Sequence, residues 1–160
     1  MIRFIVAIDV DRGLATDTGI PWNLPTDRTY YRAKIAHSPV LMGSGTYREL
    51  KRPMSDKPNY VATHQAMEVL PGFEITDDPA GLVRAFEGDM WVLGGAKLFT
   101  DLLPLADELY ITQIMSDFHC TKFFPPFQTS FELVSQAEPQ TENGVTFRFQ
   151  VWHPRQHAVR

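Results

Sequence analysis

Cysteine is nearly absent: Cys120 is the only one in 160 residues. That excludes an internal disulfide framework and fits a reducing compartment. Long apolar runs are missing too. No stretch approaches the ~18–20 apolar residues that a membrane-spanning helix needs, and the N-terminus lacks the cleavage pattern of a signal peptide. The expectation is a cytoplasmic protein with no membrane partner. Positive charge is in deficit, with 15 Lys and Arg against 19 Asp and Glu and a net charge of −4. There is thus no electrostatic case for a nucleic-acid partner. The five histidines show no metal-ligand spacing, so no metal is expected. No internal repeat, low-complexity tract or dividing linker is present, which leaves one domain over residues 1–160.

The chain is 44% hydrophobic and 12% aromatic, enough to bury a sizeable core. Short, nearly continuous apolar runs at 2–8, 40–42, 59–63 and 90–93 read as strands covered on both faces. Helical patterns at 26–35, 45–50, 79–86 and 96–103 fall between them. Strand and helix therefore alternate, the signature of an α/β sheet. The chain then changes style, with strand-like segments at 131–137 and 145–152. The second alternates Val145, Phe147, Phe149 and Val151 against polar positions. Asn143-Gly144 is a turn signal, although the gap between the two segments is longer than a two-residue hairpin. The expected fold is a mixed, mostly parallel central sheet flanked by helices, with antiparallel C-terminal strands. Residues 153–160 are basic, lack apolar period, and read as a flexible tail.

The tightest local signal is Pro21-Trp22-Asn23-Leu24-Pro25-Thr26-Asp27. Pro25 fits the first position of a helix, and Asp27 then sits in the first turn, where the positive helix end favours an anion. An acid there, beside Trp22 and facing a pocket, suits recognition of a nitrogen heterocycle. Taken alone it reads more readily as a surface acid that merely favours a helix start. Gly94-Gly95 follows a buried strand and precedes a helix, so backbone can approach a ligand and free N–H groups can meet phosphate. Strand-to-helix turns use glycine constantly, and the third spaced glycine of the Rossmann dinucleotide fingerprint is missing. Thr63-His64-Gln65 supplies phosphate donors at a strand end, or is simply a polar turn.

These elements, with Ile5-Val6-Ala7-Ile8-Asp9, Pro39-Val40-Leu41-Met42-Gly43 and Leu109-Tyr110-Ile111-Thr112, resemble dihydrofolate reductase in order and spacing. The resemblance runs from about Ile2 to Trp152. It implies a monomer that reduces 7,8-dihydrofolate with NADPH. Asp27 is then the acid, held by Thr112 and assisted by Trp22 through water. Ile5, Ala7, Tyr31, Leu50 and Leu93 become walls of the substrate pocket, though each also reads as ordinary core. Gly94 and Gly95 are implied to carry a cis peptide beside the nicotinamide, with Ala96, Lys97, Leu98 and Phe99 following. Ala7 and Ile20 complete the nicotinamide side, Gly43-Ser44-Gly45-Thr46 the pyrophosphate side, and Thr63, His64 and Gln65 the adenosine and 2′-phosphate.

The chain departs from the family pattern at several points. Ser44 stands where an arginine normally pairs with phosphate, leaving the preference for NADPH over NADH open. Lys57 stands where the family's arginine holds the glutamate tail, and it lacks the planar fork. Arg28, Arg32 and Arg52 are compensating cations, with Arg28 at a position usually apolar and equally readable as a solvated helix charge. Residues 13–20 form the expected lid, hinged at Gly13 and Gly19. The loop facing it, Asp117-Phe118-His119-Cys120-Thr121, keeps only the threonine of the usual Gly-Asp-Thr. Two rivals remain: a divergent pterin or pyrimidine reductase on this fold, and a non-catalytic nucleotide- or RNA-binding regulator.

Overall fold

The computed structural model describes residues 1–50 and 52–156. β1 (Ile2–Ile8) runs up the centre of the main sheet between β6 (Met90–Gly94) and β7 (Glu108–Ile114), parallel to both. Beyond β6 lie β3 (Val40–Gly43), β4 (Asn59–Ala62) and β5 (Phe73–Thr76), all parallel. Beyond β7 the direction reverses with β11 (Val145–Pro154), which carries both β9 (Phe131–Gln136) and β10 (Gln140–Glu142) as antiparallel partners. The sheet has nine strands, parallel first and antiparallel at the end, as expected. A separate two-stranded ribbon pairs β2 (Gly13–Ala15) with β8 (Lys122–Phe123).

Side-chain alternation sorts the strands onto two faces. Phe4, Leu41 and Val92 join one core cluster with Phe99, Leu102 and Phe124. Their chain neighbours Ile5, Met42, Trp91 and Leu93 join the other, with Ile35, Tyr47 and Phe73. Helix α1 (Pro25–Ile35) and helix α2 (Ser44–Glu49) supply the second cluster; α3 (Pro79–Ala85) and α4 (Ala96–Leu102) supply the first. Every residue of β6 is buried, which is why its sequence is an unbroken apolar run.

Two expectations need correction. Asn143 and Gly144 have φ of 52° and 76° and directly join β10 to β11, with Glu142 opposite Val145. This is a two-residue hairpin after all. Its first strand, three mostly exposed polar residues, carries no apolar alternation to reveal it. The last strand also continues past Trp152: His153 pairs with Glu132, Pro154 with Phe131, and the Arg155 backbone N–H donates to Ser130. The tail reading therefore fails for 153–155, and residues 157–160 lie outside the described residues.

Candidate active site

The C-terminal ends of β1, β3, β4 and β6 open onto one cavity of about 1320 Å³. In open sheets of this kind ligands bind outside the carboxyl ends of the strands. Ala7, Gly43, Ala62 and Leu93 reach it from those strands, and Thr112 from β7, where it pairs with Ala7.

Asp27 enters from the first turn of α1, which begins at Pro25 as the sequence dictates. Thr112 Oγ1 donates to Asp27 Oδ1 at 2.6 Å, which leaves the second oxygen for a ligand. Burial pushes the Asp27 carboxyl above its usual range; the Thr112 hydroxyl and the Arg28 charge oppose this, and Glu142 adds to it. The acid is thus poised nearer to protonation than a surface carboxylate. Trp22 is buried beside it and lies edge-on against Phe118, ring centres 5.3 Å apart.

Ile5, Arg28, Tyr31, Arg32, Leu50 and Leu93 line the cavity around this acid. Arg28 donates to Asn23 Oδ1 at 2.8 Å and is exposed at the mouth. Lys57 and Arg52 are exposed and do not line the cavity, contrary to expectation. Their nearness in sequence to Leu50 does not decide which way they face, because the chain turns away toward β4. The Ser55 hydroxyl donates to Ser38 O before β3, and the Asn59 amide donates to Ser55 O and Lys57 O within this turn.

The other end of the cavity is lined by Ser44, Gly45 and Thr46, by Thr63, His64 and Gln65, and by Ala96, Lys97, Leu98 and Phe99. The Gly94–Gly95 peptide is cis. Gly95 lines the cavity whereas Gly94 sits behind it, with φ of 108° and an added Cβ only 2.9 Å from the Phe99 ring. Only glycine satisfies both conditions. Gly43 faces this pair with room for ordinary contact, 3.6 Å from its Cβ direction to Gly95 N. Lys97 pairs with Asp101 one helical turn on.

The lid differs from its expected form. Gly13 is not a free hinge, since β2 is paired with β8 and the Thr121 N–H donates to Ala15 O at 2.9 Å. Thr121 Oγ1 also donates to Asp17 Oδ1 at 2.8 Å. Ile20, at 66% exposure, stands at the cavity edge. Burial and the neighbouring Asp9 push the Cys120 thiol up to about 11, which disfavours the thiolate.

Several site residues had no assigned role in the sequence. Leu24 and Met54 add apolar wall, and Arg48 and Asp77 add charge toward the α2 and β4 side. Leu24 lies inside the quoted heptapeptide and was legible there; Asp77 carries no local signal. Glu142 is the largest omission. The α1 N-cap, Leu24, has no side-chain acceptor, and Glu142 supplies one from the distant hairpin. Its Oε1 accepts the Thr26 N–H at 3.0 Å and its Oε2 the Thr26 hydroxyl at 2.6 Å.

Among the described residues no cluster of His, Cys, Asp or Glu has metal-binding geometry, and no helix is long and apolar enough to cross a membrane. The fold is similar to that of a dihydrofolate reductase from Enterococcus faecalis complexed with NADP(H) and RAB-propyl. The TM-score is 0.79, at 24% identity over 98% of this chain and 97% of that one, which shows the fold. The Bacillus subtilis dihydrofolate reductase is 31% identical over 97% of this chain and 95% of its own length. The Haemophilus influenzae enzyme is 32% identical over 89% and 93%. With the model of the dihydrofolate reductase family matching residues 1–154, the chain belongs to that family.

Proposed function

We propose that the chain carries out its family's reaction, the NADPH-dependent reduction of 7,8-dihydrofolate to 5,6,7,8-tetrahydrofolate, with Asp27 as the acid. The observation that carries this reading is the Asp27–Thr112 pair at one end of a cavity that continues to Thr63, His64 and Gln65. At about 1320 Å³ the cavity exceeds the ~300–1,000 Å³ of a single small-molecule pocket. Substrate and dinucleotide together fit it. The glycine approach at Gly43 and Gly95 and the polar donors at Thr63–Gln65 suit a dinucleotide backbone.

Bound NADPH would supply the hydride. The residues of this chain do the rest. The Asp27 carboxylate would accept from the amino group and a ring N–H of the pteridine in a two-point contact, and Thr112 keeps it in that orientation. Asp27, its pKa raised by burial, polarises the ring and supports protonation of the C=N nitrogen by a proton that comes through water near Trp22, while the adjacent carbon receives the hydride. Trp22, Ile5 and Leu93 exclude bulk water from one side, and the lid covers the other. With Lys57 and Arg52 away from the cavity, Arg28 and Arg32 are the cations at its mouth for the glutamate tail. That same displacement favours a second reading, a reductase of tail-less pterins. The proposal includes a monomer, as the family resemblance implies, acting in the cytoplasm, on the composition arguments already given.

The test follows NADPH oxidation with and without dihydrofolate, for the wild type and Asp27→Asn. Dihydrofolate-dependent oxidation should fall by about 10²–10⁴-fold in Asp27→Asn at neutral pH, the scale of a positioned acid. A folded wild type that does not turn over dihydrofolate but reduces tail-less pterins would establish the second reading instead.

A further inference from the structure

Asp9 is a buried carboxylate, 1% exposed, with no part in the chemistry above. Its Oδ1 accepts the backbone N–H of Asp11 at 2.9 Å and of Gly13 at 2.7 Å. Its Oδ2 accepts the N–H of Phe118 at 3.0 Å. Asp11 and Gly13 belong to the base of the lid, Phe118 to the loop facing it; the two lie over a hundred residues apart in sequence. The approach is close. A Cβ on Gly13 would come within 2.5 Å of Cys120 Cβ and 2.8 Å of Asp9 Oδ1. Burial alone would push the Asp9 carboxyl up, but the three N–H donors and the Cys120 thiol outweigh it and hold the pKa below the usual range.

The contacts lead to the active site along two routes. From Gly13 the chain passes through β2, whose Leu14 and Ala15 line the cavity, and on to the rest of the lid. From Phe118 the ring bears directly on Trp22 beside Asp27. One carboxylate therefore fixes both the base of the lid and the wall behind Trp22. A turn-stabilising acid needs only the Asp11 and Gly13 bonds; the third bond crosses to another loop.

We propose that Asp9 is a positioning residue for the reaction: it locks the lid base to the facing loop and, through Phe118, seats Trp22 against the substrate pocket.

The rate arm of the test rests on the dihydrofolate reading; the exchange arm does not. Asp9→Asn keeps the shape but turns one oxygen into a donor facing N–H groups. In the free protein, amide exchange at Gly13 and Phe118 should accelerate by about tenfold or more. In single-turnover experiments hydride transfer should slow by about tenfold or more, as displacement at a reacting centre does, with NADPH affinity little changed. Phe118→Leu leaves the backbone bond but removes the ring. It should slow transfer similarly, and the double variant should be no slower than the worse single one. Leu103→Ala, a core truncation away from the cavity, should lower Tm without slowing transfer. Wild-type exchange in Asp9→Asn overturns the lock. A wild-type transfer rate in either variant, or equal slowing in Leu103→Ala, overturns the positioning role. If Asp9→Asn does not fold, Phe118→Leu decides. A wild type inactive on dihydrofolate signals failure of the functional reading, and exchange then decides the lock alone.

Discussion

Burial and hydrogen bonding act in opposite directions on Asp27. Burial raises its pKa, the Thr112 hydroxyl lowers it, and the raised direction prevails. Between the ordinary carboxylate range and the raised value the native state binds more protons than the unfolded chain. Stability from this group is thus fully present at low pH and is lost as pH rises through the folded pKa. Catalysis and stability pull apart at this residue, because the property that readies the acid also makes its anion costly. Asp27→Asn removes that cost and keeps an acceptor for Thr112. Without ligands, the variant should melt about 2–4 °C above the wild type at pH 7, the change that ~1 kcal/mol produces in a domain of this size. The gap should close as pH falls below the carboxylate range. A Tm difference that does not vary with pH would show that the wild-type carboxylate is not strained by burial. Scanning calorimetry of both proteins across pH settles the point.

At the scale of elements, the hairpin of β10 and β11 clamps the helix that carries the acid. Glu142 holds Thr26, Asn143 Nδ2 donates to Asn23 O at 2.9 Å, and Tyr30 of α1 stacks on Phe149 of β11 with centroids 3.9 Å apart. The Glu142 charge also contributes to the rise of the Asp27 pKa, against Arg28. Glu142→Gln keeps an acceptor but removes the charge. The pH profile of kcat/KM should shift to lower pH, whereas Glu142→Ala should in addition lose up to about tenfold in kcat/KM as the helix start loosens. Profiles that coincide with the wild type in both variants would leave the clamp without a catalytic consequence. None of this was legible in the sequence, and the reason is physical. The Pro25–Asp27 helix start announces itself locally through φ and charge, and β1, β3 and β6 through unbroken apolar runs. Strands of two or three residues such as β2, β8 and β10 exist only because of their partners. The contacts of Glu142 with Thr26 and of Asp9 with Phe118 span more than a hundred residues, and no pattern within a window of ten or twenty encodes them. The Lys57 expectation failed similarly: spacing gave the position of the residue but not the direction of the turn carrying it.

Across the whole molecule, the chemistry sits at the C-terminal ends of the parallel strands and a charge cluster sits at their starts. Arg3, opening β1, donates to Glu108 Oε1 at 2.6 Å, pairs with Asp89 at 3.1 Å, and lies over the Trp91 ring. His153, near the end of β11, reaches Glu108 Oε2 at 2.7 Å. The cluster thus ties the first strand to the last through the strand between them, with Arg3 and Glu108 in direct register. Burial pushes the Glu108 carboxyl up, but the bonds from Arg3 and His153 outweigh it and hold the pKa below the usual value. A depressed carboxylate contributes stability that is present above its unfolded pKa near 4.5 and is lost as pH falls through the lower folded value. Glu108→Gln should therefore cost about 1–2 kcal/mol at pH 7, the scale of a partly buried charge-assisted bond. Its Tm deficit should shrink toward zero as pH falls through the lowered folded value, where the wild-type carboxylate takes up its proton. Turnover at temperatures well below Tm should not change, because Arg3 and Glu108 lie at the far ends of strands whose near ends form the cavity. Denaturant melts at several pH values, read beside initial rates, separate the two. A rate loss at full foldedness would mean that strain at Arg3 and Glu108 reaches Ala7 and Thr112, each four residues further along the same strands.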